Sequence, residues 1–179
     1  MFPSWHMVAT DANSLSGGLA ILWNPLWVSA KAFKCFVGIL LLANIRGLAI
    51  SIHVLNVYAP CKNHCPFWNR FLFSKFWELD SLIIEGDLNC NLSSDEVWGR
   101  GKRDDPFAGL IEGAILHHNM IDVYPQFMGP TWDNGRTVAS FLAKRLDRFM
   151  IKDKLMYCMG RPLSNIINCF IFDHRPISL

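Results

Sequence analysis

Positions 83–89 of the chain read Ile-Ile-Glu-Gly-Asp-Leu-Asn. The apolar residues that open this run predict a short strand over Leu82–Glu85, ending at Gly86. Asp87 and Asn89 follow two positions apart, and in extended geometry side chains at that spacing project to the same side. A carboxylate and an amide delivered together at a strand end can position a water molecule and hold a phosphate oxygen. A Gly-Asp turn followed by an Asx cap explains the same residues without any chemistry.

Two later segments carry acids in comparable positions. Positions 145–149 read Arg-Leu-Asp-Arg-Phe, which sets Asp147 between two guanidinium groups on a strand predicted over Leu146–Ile151. Positions 172–176 read Phe-Asp-His-Arg-Pro, which sets His174 beside an acid at a strand entry. Asp147 is suited to orient a histidine, because an acid can fix the tautomer as it does in a catalytic triad. A paired, solvated face is the alternative for Asp147, and an Asp-His pair alone is weak evidence of catalysis.

At 179 residues the chain fits a single domain spanning 1–179. Its composition is 51% hydrophobic with a mean hydropathy of +0.21, which is high for a soluble protein. Either a membrane segment or a large buried sheet with partly absent covering elements explains this value. The most apolar stretch, Phe36–Val57, is interrupted by polar residues including Arg46, whereas a spanning helix needs roughly 20 nearly uncharged apolar residues. We therefore predict two strands there, Val37–Ile45 and Leu48–Ala59, and no membrane association.

Net charge and cysteine usage set only broad limits on the function and the cellular compartment of the protein. The net charge of +2 permits a nucleic-acid partner without arguing for one, although Lys and Arg gather at 100–103 and 144–154. The six cysteines have no paired CxxC spacing and Met1–Thr10 has no secretory signal, so they indicate reduced thiols in an intracellular protein. The Cys61–Cys65 cluster lacks a second ligand pair for zinc, and a surface turn is the better interpretation.

Strand signals outnumber helix signals along the chain. Besides those given above, the predicted elements are a strand at Gly18–Trp23, a helix from Pro66 to about Leu79, a helix opening at Pro106 and capped by Asp104 or Asp105, and strands at Ile166–Phe172 and Ile177–Leu179. Several adjoining strands lack an intervening helix, which favours a mixed or antiparallel α+β fold or a layered sandwich. The absence of GxGxxG and Walker sequences removes the main support for nucleotide-binding folds.

Further motifs fall in a definite order around these segments. In chain order they are Ser-Gly-Gly-Leu-Ala-Ile-Leu-Trp at 16–23, Asn-Val-Tyr-Ala-Pro at 56–60, Arg70–Leu79, Asp87-x-Asn89, Asp122, Gly129–Asn134, Arg145–Asp147 and Asp173–His174. Their order and spacing resemble the endonuclease/exonuclease/phosphatase superfamily, which has the DNase I-like fold. The sequence is most similar to the endonuclease domain of plant LINE-type non-LTR retrotransposon polyproteins. The resemblance covers nearly the whole chain, from about Ser16 to Leu179.

The resemblance implies a four-layer α/β sandwich, with two mixed β-sheets packed face to face, helices outside, and an active site where strand-end loops meet. It also implies phosphodiester hydrolysis that depends on Mg²⁺ or Mn²⁺, with DNA as the partner. Such cleavage needs an activated water, a cation and donors to the phosphate oxygens. By motif matching, the resemblance implies that His174 is the catalytic base and that Asp147 orients it. Asp87 and Asn89 would align the water and the phosphate, and Tyr58 would contact the phosphate or the leaving group. Asp173 and Asp87 would lie near the metal, and the implied substrate-binding residues are Asn89, Thr131, Trp132 and Arg145.

Two departures from the family pattern matter. The family carries its principal metal-binding Glu in a Gln-Glu-Thr-like segment, whereas residues 1–15 contain no Glu. We therefore expect an N-terminally truncated domain that lacks the first strand or strands, as in a fragment of a longer polyprotein. Without that Glu, magnesium would depend on Asp87, Asp173 and waters, and a sheet edge would remain unpaired. Phe172 also stands where the family usually has Ser.

The sequence is compatible with three functions. The first is a nuclease that nicks DNA in a magnesium-dependent reaction. The second is an inactive retrotransposon-derived remnant with residual nucleic-acid affinity through Arg100–Arg103 and Arg145–Lys154. The third is a phosphoesterase that acts on a phosphoinositide or another small phosphorylated substrate. A DNA substrate would require access to the nucleus, and no protein partner can be inferred from the sequence.

Overall fold

The computed structural model describes residues 4–13, 16–137, 139–169 and 172–179. In chain order its strands are β1 (His6–Asn13), β2 (Ser16–Trp23), β3 (Val28–Cys35), β4 (Gly38–Ile45), β5 (Ser51–Tyr58), β6 (Leu82–Asp87), β7 (Val97–Gly99), β8 (Met120–Asp122), β9 (Trp132–Asp133), β10 (Leu142–Lys144), β11 (Asp147–Lys152), β12 (Asn165–Ile166) and β13 (Ile177–Ser178). The helices are α1 (Cys65–Leu72), α2 (Ala108–His117) and α3 (Asp153–Met159), with short 3-10 turns at Lys75–Glu78 and Ser94–Glu96. None of the helices in the described ranges is long and apolar enough to cross a membrane.

A mixed sheet of six strands forms the centre of the fold, in the order β3-β4-β5-β6-β11-β8. Its neighbouring strands run antiparallel except β5 and β6, which are parallel. A parallel pair needs a crossover connection, and α1 with the 3-10 turn after it supplies one. Alternate residues of β5, Leu55 and Val57, are fully buried on the side that faces the helices. The α+β class and the mixed sheet predicted from the sequence are confirmed.

One face of the sheet packs against α1 and α2. Trp68 and Phe71 of α1 are fully buried in the same apolar cluster as Trp77. The helix predicted from Pro66 to Leu79 is shorter than expected, because α1 ends at Leu72. The indole N–H of Trp77 donates to the carbonyl of Phe71 at 2.9 Å, which is an acceptor that a further helical turn would use. The chain therefore turns after α1 and resumes as a 3-10 turn that buries Trp77.

The opposite face is covered by β-ribbons and by α3. The β1–β2 ribbon lies on β4 and β5, where Ile21 shares an apolar cluster with Ile39 and Leu41. Leu155 of α3 is buried in a second cluster on this side, and Ile177 of β13 packs against that cluster. Among the described residues, the ribbons β1–β2 and β12–β13 are separate two-stranded units and do not join into one continuous second sheet.

Most predicted strands are present with shifted ends. The strands predicted at Gly18–Trp23, Val37–Ile45, Leu48–Ala59, Leu82–Glu85 and Leu146–Ile151 correspond to β2, β4, β5, β6 and β11. The sequence patterns did not indicate β1, β3 or the short strands β7, β8, β9 and β10. In β3, an edge strand, the alternation of apolar and polar residues breaks at Phe33 and Lys34. Of the strand predicted over Ile166–Phe172, only its first residue belongs to β12 in the described part, and residues 170–171 lie outside that part.

The second predicted helix begins two residues later than expected. The sequence suggested a start at Pro106 with Asp104 or Asp105 as the cap, whereas α2 starts at Ala108. Oδ1 of Asp105 accepts the backbone N–H of Phe107 at 3.0 Å, so the acid closes a turn ahead of the helix. This turn places Asp105 close to the strand ends described below.

A buried ionic cluster of Arg145, Arg148, Glu96 and Asp122 ties the end of the sheet to a loop. Each arginine pairs with both acids, and the Arg145–Glu96 and Arg148–Asp122 pairs each measure 2.7 Å. Burial opposes ionisation of Glu96, but the hydrogen bonds and charges of the two arginines outweigh it and hold the pKa of Glu96 below its ordinary value. The cluster thus fixes β8 and β11 to the Glu96 loop and has a structural role.

Removing the charge of Glu96 should destabilise the fold. Glu96→Gln leaves buried guanidinium groups underpaired, and we expect the free energy of unfolding to fall by about 3 kcal/mol or more. Because the folded-state pKa of Glu96 is lowered, its contribution is complete above the ordinary value of 4.5 and is lost as pH falls through the lower folded value. Urea denaturation at a series of pH values measures both effects.

Lys154→Ala is the matched control, because it breaks an exposed ion pair with Asp80. Exposed pairs contribute little to stability, so we expect unfolding of this variant to be unchanged. Equal destabilisation by Glu96→Gln and Lys154→Ala would contradict the structural role of the buried ionic cluster.

Candidate active site

Three strand ends meet at one edge of the central sheet. Tyr58 of β5 is the register partner of Asp87 of β6, and Asp87 is the partner of Asp147 of β11. Side chains that pair across neighbouring strands lie on the same face, so these three form a row. Tyr58 and Asp87 of this row line an open pocket of about 450 Å³. The predicted site residues that line this pocket are Tyr58, Asp87, Asn89, Trp132, Asp173 and His174.

His174 lies between two carboxylates of this row. Its Nδ1 is 2.9 Å from Oδ2 of Asp147, and its Nε2 is 3.8 Å from Oδ2 of Asp87. Because a carboxylate can only accept a hydrogen bond, Nδ1 carries a hydrogen and its N–H donates a hydrogen bond to Asp147. Burial alone would lower the pKa of His174, but the hydrogen bond and charge of Asp147, with the charges of Asp87 and Asp173, raise it above its ordinary value. The structure thus brings together the Asp147 and His174 pair that the sequence pattern suggests.

Asp87 and Asn89 meet through a turn and not through an extended strand. β6 ends at Asp87, and Asn89 has a φ of 48°, in the left-handed region. The backbone N–H of Asn89 donates to Oδ1 of Asp87 at 2.8 Å, and its side-chain amide donates to Oδ2 at 2.9 Å and to the carbonyl of Ala59 at 2.6 Å. The extended geometry expected for this pair is therefore wrong, although the two side chains do lie together. The amide oxygen of Asn89 is the part of that side chain left to bind a ligand.

Asp87 is the buried carboxylate of the site, with 8% of its surface exposed. Burial, followed by the charges of Asp147 and Asp173, raises its pKa to about 6, while the hydrogen bond from Asn89 and the charge of His174 act in the opposite direction. A carboxylate crowded by other carboxylates is stabilised in its ionised form by a nearby cation.

The donor chemistry of the pocket fits a hard divalent cation. Among the described residues, no group of three or more His, Cys, Asp or Glu side chains is placed to hold a metal ion. Mg²⁺ needs fewer protein ligands, because it commonly binds through one or two carboxylates and keeps several waters. Asp87 and Asp173 both line the pocket and offer such oxygens. Magnesium at this site stays a prediction.

Thr131 ties two parts of the site together. Its side chain is buried, and Oγ1 accepts the backbone N–H groups of Leu146 at 2.9 Å and of Asp147 at 3.0 Å. Its backbone carbonyl accepts the N–H of Arg175, the neighbour of His174, at 2.6 Å. The substrate-binding role predicted for Thr131 is corrected, because the hydroxyl is buried and already engaged twice. Thr131 instead clamps the Asp147 strand to the His174 segment.

Trp132 and Asp173 form one wall of the pocket. The indole N–H of Trp132 donates to Oδ2 of Asp173 at 3.2 Å, and the backbone of Trp132 forms an antiparallel bridge with His174. The guanidinium of Arg175 reaches Oδ2 of Asp133 at 3.3 Å. These contacts attach the histidine segment to β9 and place an aromatic surface beside the histidine.

Three basic residues of the 144–154 run do not line the pocket, namely Arg145, Arg148 and Lys152. The prediction that Arg145 binds substrate is wrong, because its guanidinium belongs to the buried ionic cluster and its side chain is 2% exposed. Arg148 is buried in the same cluster, and Lys152 donates to the carbonyl of His118 at 2.6 Å. The predicted nucleic-acid affinity through Arg145–Lys154 is therefore wrong for these three side chains, because they pair inside the protein.

The pocket also contains residues that the sequence did not assign to the site. They are Cys61, His64, Asp105, Leu142, Lys144 and Leu146. Lys144 had a sequence signal, since it directly precedes the Arg-Leu-Asp motif and opens the basic run. His64 lies in the Cys61–Cys65 cluster that was interpreted as a surface turn, and Asp105 was interpreted only as a helix cap. The exposed Arg100–Arg103 segment belongs to the loop that leads to Asp105.

No protein-family model matches the sequence, and no curated protein is significantly similar to it. Solved structures do share its fold. The endonuclease domain of TRAS1, a telomere-specific non-LTR retrotransposon, matches with a TM-score of 0.73 at 14% identity, covering 98% of this chain and 79% of that domain. A functionally unknown conserved protein from Enterococcus faecalis V583 matches with a TM-score of 0.57 at 14% identity, covering 97% of this chain and 75% of that one. The similarity confirms the DNase I-like fold that the motifs predict.

Thr131→Val should loosen the site without changing its charge. Valine keeps the shape of the side chain but leaves the N–H groups of Leu146 and Asp147 without their acceptor, at a cost of about 1 kcal/mol or more. We expect a lower free energy of unfolding and faster hydrogen exchange at the Asp147 amide, measured by urea denaturation and NMR. Thr131→Ser, which keeps the hydroxyl, is the control and should behave like the parent chain. If the valine and serine variants behaved alike, the clamp would not exist.

Proposed function

We propose that this domain hydrolyses phosphodiester bonds in DNA, using His174 to activate a water. The observation that carries the proposal is the arrangement of Asp147, His174 and Asp87. One ring nitrogen of the histidine is held by a carboxylate, and the other lies near a second carboxylate that lines the pocket. The structural similarity to a retrotransposon endonuclease domain supports the same class of reaction at the level of the fold.

In the proposed reaction, Nε2 of His174 takes a proton from a water as the water oxygen attacks phosphorus. A P–O bond forms to that oxygen, and the P–O bond to the leaving oxygen breaks. Asp147 keeps Nδ1 protonated and stabilises the imidazolium that forms. Asp87 orients the same water by accepting its second hydrogen, because the 3.8 Å separation between Nε2 and Oδ2 allows one water to bond to both.

Asp87 and Asp173 would hold a divalent cation such as Mg²⁺ or Mn²⁺. When bound, such a cation neutralises charge on the phosphate oxygens. Among the described residues, Asp87 has no Lys or Arg within ion-pair distance, so its charge is available to a cation. Asp173 is exposed and accepts one hydrogen bond from Trp132, which orients its carboxylate at the mouth of the pocket.

Two aromatic residues supply contacts to the substrate in this proposal. Tyr58 sits beside Asp87 in the row, and its phenol can donate to a phosphate oxygen or to the leaving oxygen. Trp132 lines the same pocket, and indole rings stack on bases of any sequence. The amide oxygen of Asn89 remains for a water or a sugar hydroxyl.

Binding of nucleic acid without cleavage is the second candidate function. One observation favours it, namely that the pocket presents Trp132 and Lys144, a stacking surface and a cation that can bind nucleic acid without a metal. The two candidates differ in whether the DNA backbone is broken.

Purified chain with Mg²⁺ should convert supercoiled plasmid to the nicked form, and His174→Ala should reduce the rate at least about a hundredfold because it removes the general base. EDTA should abolish nicking in the parent chain. His117→Ala, a change at an exposed histidine of α2, is the matched control and should nick normally.

The outcomes separate the candidates. Absence of nicking above the His174→Ala background, with DNA binding retained, would overturn hydrolysis and favour the binding function. Release of phosphate from an inositol phosphate, with the plasmid left intact, would indicate a small phosphorylated substrate instead.

Asp147→Asn should lower kcat with little change in KM. The asparagine amide can donate to Nδ1 and so stabilise the tautomer in which Nε2 carries the proton and cannot act as a base. We expect kcat to fall by about 10²-fold or more, measured by steady-state nicking of a labelled duplex. Asp95→Asn, at an exposed acid that does not line the pocket, is the control. A normal kcat in Asp147→Asn would mean that the Asp147–His174 contact has no part in catalysis.

A further inference from the structure

A second, smaller pocket adjoins the candidate active site. Its volume is about 340 Å³, and it is lined by Asn91, Arg103, Asp104, Asp105, Pro106 and Lys144. We call it the side pocket. Asp105 and Lys144 line both pockets, so the two cavities share a wall. Lys144 is therefore within reach of a ligand in either pocket.

Asn91 is an unusual feature of the side pocket. The residue is fully buried, and its Nδ2 donates to the carbonyls of Ser93 at 3.2 Å and of Arg103 at 3.1 Å. These two bonds fix the orientation of the amide. Its Oδ1 is buried and accepts no hydrogen bond from the described residues. Buried acceptors are nearly always satisfied in folded proteins, so this oxygen of a residue that lines the side pocket calls for a donor that the described residues do not supply.

The charges of the side pocket are mixed. Arg103 and Lys144 are cationic, whereas Asp104 and Asp105 are acidic. Oδ1 of Asp105 accepts the N–H of Phe107, which holds that carboxylate in place. A simple anion would be attracted by the two cations and repelled by the two acids. The lining therefore suits a ligand that carries an anionic group at one end and N–H donors at the other.

A nucleotide unit has this combination, because it joins a phosphate to a base that can present an amino group. Ligand pockets start at roughly 300 Å³, so the cavity is large enough for one such unit. Lys144 is also the register partner of Trp132 in the β9–β10 pair, so a cation and a stacking surface lie side by side at the active-site pocket.

We propose that the side pocket binds the nucleotide next to the scissile phosphate and selects a base with an exocyclic amino group. Lys144 and Arg103 contact the phosphate, and Oδ1 of Asn91 with the carboxylate of Asp105 accepts from the amino group. Carboxylate and amide oxygens are the usual acceptors for base amino groups. The inference rests on the proposed function in taking DNA as the ligand, and it adds a preference for sequence.

The test compares cytosine with uracil. Cytosine carries an amino group at C4 and an unprotonated N3, whereas uracil carries a carbonyl at C4 and a hydrogen on N3. Labelled single-stranded oligomers of deoxycytidine and deoxyuridine are titrated with the intact chain in EDTA, and binding is followed by fluorescence anisotropy. We expect the deoxycytidine oligomer to bind about tenfold more tightly. Asp105→Asn keeps an acceptor for the Phe107 N–H but replaces one carboxylate oxygen by a donor, and it should reduce this preference.

The phosphate contact is tested separately by charge removal. Lys144→Ala should weaken binding of both oligomers equally and lower the slope of log affinity against log salt by about one. Lys154→Ala removes the same charge beyond the opposite end of β11, where the side chain pairs with exposed Asp80, and should leave binding unchanged.

Equal affinity for the two oligomers, or no binding of either, would overturn the base preference. Equal effects of Lys144→Ala and Lys154→Ala would overturn the phosphate contact. Because these measurements exclude metal and cleavage, a chain that fails to nick plasmid but shows the cytosine preference would disprove the proposed hydrolysis and leave the side pocket established.

Discussion

The register between β5, β6 and β11 is the constraint on which the site depends. Because Asp87 pairs with Tyr58 on one side and with Asp147 on the other, three polar groups end in one row at the pocket. A slip of one residue in β6 would turn Asp87 towards the helices, since alternate residues face opposite sides. Gly86 protects this register, because its φ is 118° and a Cβ there would collide with the carbonyl oxygen of Val57. A side chain at that position would have to displace the neighbouring strand.

Alternation along β11 also separates two kinds of charge. Asp147 contacts His174, whereas Arg148, the next residue, is buried in the ionic cluster on the other side of the strand. The guanidinium groups of this segment stabilise the fold. Among the described residues, His174 is the only basic side chain within ion-pair distance of the carboxylates of Asp87 and Asp147. The consequence shows in the pKa of Asp87, which burial and the neighbouring acids raise to about 6. Acids arranged in this way are suited to a cation from solution.

The sequence predicted those parts of the site that depend on strand ends, and missed those that depend on which way a side chain points. Asp87 and His174 were found because each stands next to an apolar strand. Thr131 and Arg145 were placed in the site by motif matching, but burial directs both inward, where one satisfies backbone N–H groups and the other satisfies two acids. The sequence marked the basic residues Arg103 and Lys144 but not the side pocket that they line, because its walls come from three separate segments of the chain that meet only after folding.

The small sheet β7-β10-β9 gives the site a second part with a different task. The central sheet presents the carboxylates, whereas the small sheet presents Trp132 and Lys144 as cross-strand neighbours. Thr131 joins the two, since its N–H donates to the carbonyl of Lys144 at 2.9 Å while its hydroxyl holds the start of β11. A shift of Thr131 would therefore move the water-activating pair and the substrate contacts together. Substitution of Lys144 can alter substrate affinity alone, whereas substitution of Thr131 must alter both the water-activating pair and the substrate contacts.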